Sequence, residues 1–142
     1  MDTFWIVTAE SARARIFKTA SLIKEPVEVM DLAHPASRLK EGDLVADRPG
    51  RSQGSAGGGR HGMTNGDAHN HELEIFAREI ADKLEQARQE GRYDKVILVA
   101  PPAFLGTLRQ ALSGQVEKLV ERSLDKNLVS ATPEEIRAHV FD

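Results

Sequence analysis

The run Lys95-Val96-Ile97-Leu98-Val99-Ala100 is apolar at successive positions, so both faces of the strand it would form are hydrophobic, and Pro101-Pro102 ends it. A strand of that kind belongs in the middle of a sheet with helices over both faces. The flanking segments fit this demand. Upstream, Leu73, Phe76, Ala77, Ile80, Leu84 and Ala87 fall on one side of a 3.6-residue period, which predicts a long amphipathic helix. Glu72 and Glu74 are expected in its first turn, where they favour the helix dipole, and Gly91 is its expected stop. Downstream, Pro102 suits the first turn of a second helix that carries Phe104, Leu105, Leu108, Ala111 and Leu112 inward and ends near Gly114.

At the N-terminus, Phe4 to Ala9 and Ala12 to Thr19 read as a β-hairpin turning at Glu10-Ser11. After Lys24-Glu25-Pro26, the alternation from Val27 to Leu32 predicts a third strand that extends the meander, and His34-Pro35 closes it. Residues 115–129 carry both helical and alternating features; a strand from about Leu119 to Leu124 is expected there. Thr132-Pro133-Glu134-Glu135 is a capping box with proline at the first helical position, so a last helix should run from Pro133 to about Phe141. Three strands followed by alternating helices and strands predict an α/β domain: a three-layer α/β/α sandwich, ribonuclease H-like, around a mixed five-stranded sheet. With 142 residues, one domain is expected, 1–142.

Composition narrows the function classes. Hydrophobic residues at 40% and charged residues at 29% are ordinary for a globular protein, and a net charge of -3 argues against a general nucleic-acid coat or a polybasic membrane binder. The chain has no cysteine, which removes disulfides, thiolate metal sites and a cysteine nucleophile. No apolar run approaches the roughly 20 residues a bilayer span needs. The start Met1-Asp2-Thr3-Phe4-Trp5 is acidic where a signal peptide would be basic, so a cytoplasmic, non-membrane protein is expected.

Between about residues 33 and 70 the periodicity disappears, over a stretch longer than the about 12 to 15 residues that unstructured loops in compact domains usually reach. Its stretch from Arg48 to Gly66 holds seven glycines and three arginines, Arg48, Arg51 and Arg60, with no acidic residue, while Glu41, Asp43, Asp47 and Asp67 flank it. Glycine lets a backbone approach a ligand and present successive amides, and arginine supplies forked donors matched to phosphate. Arg48, Arg51, Gln53, Gly57, Gly58, Gly59, Arg60 and His61 are therefore the candidate phosphate- or nucleic-acid-binding residues. No aromatic residue lies between Phe17 and Phe76, which favours contact with a backbone over stacking on bases. A flexible linker is the alternative reading of the same composition.

Catalytic and metal chemistry find less support. A two-metal nuclease of ribonuclease H type needs converging carboxylates, and neither Phe4 to Ala9 nor Val96 to Ala100 carries one. Asp67, His69 and His71 are the candidates for a metal site, but no two histidines there have the i, i+4 spacing that puts ligands on one helical face. No serine stands in a nucleophile-elbow pattern. Neither a cofactor nor catalysis is expected.

Trp5-Ile6-Val7-Thr8-Ala9 with Ala12-Arg13-Ala14-Arg15-Ile16-Phe17, the stretch Leu44-Val45-Ala46-Asp47-Arg48-Pro49-Gly50-Arg51, and Val96 through Ala100 continuing into Pro101-Pro102-Ala103-Phe104-Leu105-Gly106-Thr107-Leu108-Arg109 resemble the bacterial host attachment protein family over essentially the whole chain. That family is similar to the middle domain of archaeo-eukaryotic peptide-chain release factors. The resemblance implies the same sandwich order, with a glycine-rich loop in the interval where release factors carry the Gly-Gly-Gln loop that promotes peptidyl-tRNA hydrolysis. Here the corresponding position reads Gly58-Gly59-Arg60, and Gln53 precedes Gly54 rather than following a glycine pair. The resemblance thus implies a translation-associated module that binds a ribosome or tRNA through the loop. The alternatives are an attachment-related protein-binding or regulatory factor, as the family name implies, and a metal-assisted hydrolase.

Overall fold

The computed structural model describes residues 2–34 and 63–142, with the backbone alone for residues 63–69. Strands β1 (Phe4–Ala9), β2 (Arg13–Thr19) and β3 (Val27–Ala33) are followed by helix α1 (Met63–Gln89), strand β4 (Lys95–Ala100), helices α2 (Pro102–Ala111) and α3 (Gly114–Leu119), strand β5 (Val120–Asp125) and helix α4 (Pro133–Phe141). The strands form one five-stranded sheet in the order β3-β2-β1-β4-β5. β1 pairs antiparallel with β2, and β2 antiparallel with β3. β4 runs parallel to both β1 and β5. The mixed five-stranded α/β architecture read from the sequence is thus the observed one.

β1 and β4 lie side by side at the centre, as their two-sided apolar pattern demands, and five consecutive residues in each, Trp5 to Ala9 and Val96 to Ala100, are buried. The sheet divides the core in two. On one face Trp5, Val7, Ala9, Ala14, Ile16, Val96 and Leu98 pack against α1, α2 and α3. On the other, Ile6, Phe17, Ile97 and Val99 meet Ile136 and Val140 of α4. Phe17 is fully buried because α4 covers that face.

All six apolar residues predicted to line the long helix are buried. Its start is corrected. α1 begins at Met63, so Glu72 and Glu74 lie in its interior, and residues 63–70 belong to the helix and not to the long loop. Asn65 and Gly66 are poor helix formers, but once the packed turns from Leu73 onward exist, adding turns toward the N-terminus needs no new nucleus. At the other end Gly91, at φ 69°, lets the Gly91 and Arg92 amides donate back to the Arg88 and Ala87 carbonyls.

The second helix is corrected as well. It stops at Ala111, Leu112 is extended, and α3 follows, capped by Ser113, whose hydroxyl accepts the Val116 amide at 3.1 Å. α3 occupies part of the segment that read ambiguously, and β5 starts at Val120, a residue later than expected. α4 has the predicted reciprocal capping box between Thr132 and Glu135. Among the described residues no helix is long and apolar enough to cross a membrane.

Candidate functional site

The interval that the sequence marks for binding lies between the end of β3 and α1 in the sequence. Arg48, Arg51, Gln53, Gly57, Gly58, Gly59, Arg60 and His61 all lie outside the described residues. Of the metal candidates, Asp67 and His69 fall on the first turns of α1, where the described part is backbone alone, and His71 is an exposed residue of that helix. Among the described residues no three His, Asp or Glu side chains converge as a metal site would require.

What the structure does place is the root of this interval. His34 follows β3 directly, and its backbone amide donates to the Ala12 carbonyl at 2.8 Å. Its imidazole stacks on Phe76 of α1, with centroids 5.3 Å apart and planes 14° from parallel, and Phe76 in turn stacks on Phe104 of α2 at 5.9 Å. Nε2 lies 2.8 Å from Glu72 Oε1 and Nδ1 lies 3.2 Å from Glu79 Oε1. The chain therefore enters the interval from a fixed point against α1.

Sequence reading assigned His34 only the end of a strand. A local signal existed, since Glu72 and Glu79 are seven residues apart, two turns on one side of a helix, with Phe76 between them. The partner 38 residues upstream carries no such mark.

Among the described residues, the arginines are largely committed to carboxylates. Arg13 is paired with Asp31, Arg15 with Glu28, Arg88 with Glu85, Arg92 with Glu90, Arg109 with Glu117, and Arg137 with both Glu134 and Asp142. These bonds hold the Asp31 and Glu134 carboxyls below the usual carboxylate range and raise the Arg13 and Arg137 guanidinium values. Arg48, Arg51 and Arg60 belong instead to an acid-free stretch of sequence.

The sheet centre offers no acid of its own. β1 and β4, the adjacent strands that would have to carry the nuclease carboxylates, contribute Thr8 as their buried polar residue, and its hydroxyl donates to the Arg15 carbonyl at 3.1 Å. That side chain serves the hairpin.

No curated protein matches this chain. Residues 5–140 match the family described as "Protein required for attachment to host cells", and a match of that extent means that the chain belongs to this family.

Proposed function

We propose that the chain is a binding module that contacts RNA phosphate on a ribosome or tRNA through Arg48, Arg51 and Arg60, with Gln53, Gly57, Gly58, Gly59 and His61 supplying further donors and close backbone approach, and that it carries out no reaction there. The observation that carries this reading is the division of the arginines. Those among the described residues are largely neutralised by carboxylates, whereas the sequence stretch 48–66 that carries the other three holds no acidic residue. A phosphate chain is the partner that forked cations and exposed amides recognise together.

The position of the interval supports the same reading. A β-meander leading into a long helix, with strand order β3-β2-β1-β4-β5, supports reading the sheet as that of a ribonuclease H-like sandwich, and on that reading the glycine-rich interval corresponds to the Gly-Gly-Gln loop of the release-factor middle domain. Arg60 after Gly58-Gly59 replaces the glutamine of that motif, so the reading is one of binding and not of hydrolysis.

Co-sedimentation with ribosomes tests it. Binding at low salt should weaken steeply as salt rises, and the triple replacement Arg48→Ala, Arg51→Ala, Arg60→Ala should lower the log–log salt slope by about 2 to 3, at about 0.7 to 0.9 per phosphate contact. A wild-type protein that stays in the supernatant at low salt would sink the RNA reading. The family description favours, as a second reading, an attachment-related protein-binding or regulatory factor with no RNA role. Binding that is present but indifferent to the three arginines would move the site off this stretch.

A further inference from the structure

We propose that His34, Glu72 and Glu79 form a proton-dependent staple between the end of β3 and α1, complete when the imidazole is protonated and open at Glu79 when it is not. Each ring nitrogen faces a carboxylate oxygen, Nε2 at 2.8 Å from Glu72 and Nδ1 at 3.2 Å from Glu79. A neutral imidazole has one N–H and one lone pair, so it can donate to one of these carboxylates and must turn a lone pair toward the other. An imidazolium donates to both.

The surroundings decide which contact yields. The His34 side chain is 12% exposed and Glu72 15%, while Glu79 is 53% exposed. The ring is held by stacking on Phe76, and the His34 amide is held by the Ala12 carbonyl. Glu79 is the member that can swing into water at little cost, so loss of the proton releases Nδ1 from Glu79 and leaves Nε2–H on Glu72.

Two charges on the hairpin beside His34 have partners of their own. In the β1–β2 turn, Glu10 accepts the Ala12 amide at 3.2 Å, and Arg13 of β2 is bonded to Asp31 of β3. From α2 the neighbour behind Phe76 is Phe104, which is apolar. Among the described residues, the two glutamates of α1 face the ring with no cation paired to them. The staple therefore holds both carboxylates while the ring is protonated and only Glu72 when it is not.

The test combines ¹⁵N NMR of the imidazole nitrogens with amide exchange, corrected for intrinsic rates, at about pH 5.5 and about pH 8.5, either side of the ordinary imidazole value of about 6.5. In the wild type both ring nitrogens should be protonated at the lower pH. The opening equilibrium at the His34 amide and the adjoining turns of α1 should rise roughly tenfold at the higher pH, the worth of one charge-assisted hydrogen bond. Glu79→Gln should remove the pH dependence and keep the protection, because an amide can accept from an N–H or donate to a lone pair. Glu79→Ala should show weakened protection at both pH values. Glu79 is exposed enough for both variants to fold, which circular dichroism checks. A ring that is a neutral single tautomer at about pH 5.5, or corrected exchange that is equal at both pH values in the wild type, would overturn the proposal.

Discussion

Arg15 shows how one side chain can bind three parts of the fold. Its guanidinium donates to both oxygens of Glu28 at 3.2 and 2.9 Å, and to the Val129 and Ala131 carbonyls at 3.0 and 2.8 Å. It also lies 4.9 Å from the centre of the Phe17 ring. β2 is thereby tied to β3 and to the segment that leads into α4. Only a planar fork can serve a carboxylate and two carbonyls at once, so Arg15→Lys should lower stability by about 1 to 3 kcal/mol; urea denaturation with an unchanged m-value measures it. Tyr93 is a second such residue. Burial pushes its hydroxyl up to about 12, and it donates to the Leu84 carbonyl at 2.7 Å while the ring packs on Trp5 at 5.1 Å. Tyr93→Phe should cost about 1 kcal/mol near neutral pH. The folded state prefers the neutral phenol, so stability from this group is present below the ordinary value of 10.0 and is lost as pH rises toward about 12. Alkaline unfolding followed by circular dichroism should therefore be shallower over that window in the Phe variant.

Between elements, Glu85 joins α1 to the start of α3. Its carboxylate accepts from Arg88 at 3.0 and 2.7 Å, from Gln89 at 2.8 Å and from the Ser113 hydroxyl at 2.9 Å. Those hydrogen bonds, Arg88's first, lower it from 4.5 to about 2. A depressed carboxyl stabilises the fold above its unfolded value and loses that contribution as pH falls through the folded value. Glu85→Gln should accordingly flatten the acid limb of the stability curve between about pH 4.5 and about pH 2, and a thermal melt series across that range that coincides with the wild type would refute the assignment. The same junction explains a misread boundary. Ser113 follows the extended Leu112 and caps α3 through its side chain, and its hydroxyl also donates to Glu85. Read from the sequence, the second helix ends near Gly114 and residues 115–129 stay ambiguous, because the bond from Glu85 that holds Ser113 comes from another element. The capping box at Thr132 was legible because both of its bonds are local, within three residues.

For the whole molecule, the distribution of charge matters more than its sum. A net charge of -3 conceals described elements whose arginines are largely paired and an acid-free stretch of sequence that carries three more. If the binding reading holds, replacing Arg48, Arg51 and Arg60 with alanine separates binding from folding. That reading requires the melting temperature to stay within about a degree or two of the wild type while ribosome co-sedimentation is lost; differential scanning calorimetry beside the sedimentation assay reads both. A large drop in melting temperature would instead make those arginines structural.

The sequence by itself determined the elements whose cause is local or periodic: the central strands apolar on both faces, the buried stripe of α1, the proline and capping-box start of α4, and the interval between β3 and α1 with its unbalanced arginines. Tertiary structure decided the rest. α1 extends back to Met63 through residues of poor helix propensity, and α2 breaks from α3 at a serine engaged by a distant glutamate. His34 acquires a role because folding brings it against carboxylates 38 and more residues away. The physical reason is one of range. Periodicity, capping and proline geometry act within a few residues and leave their mark on the sequence there, whereas a hydrogen bond across the fold leaves on each partner only an ordinary polar residue.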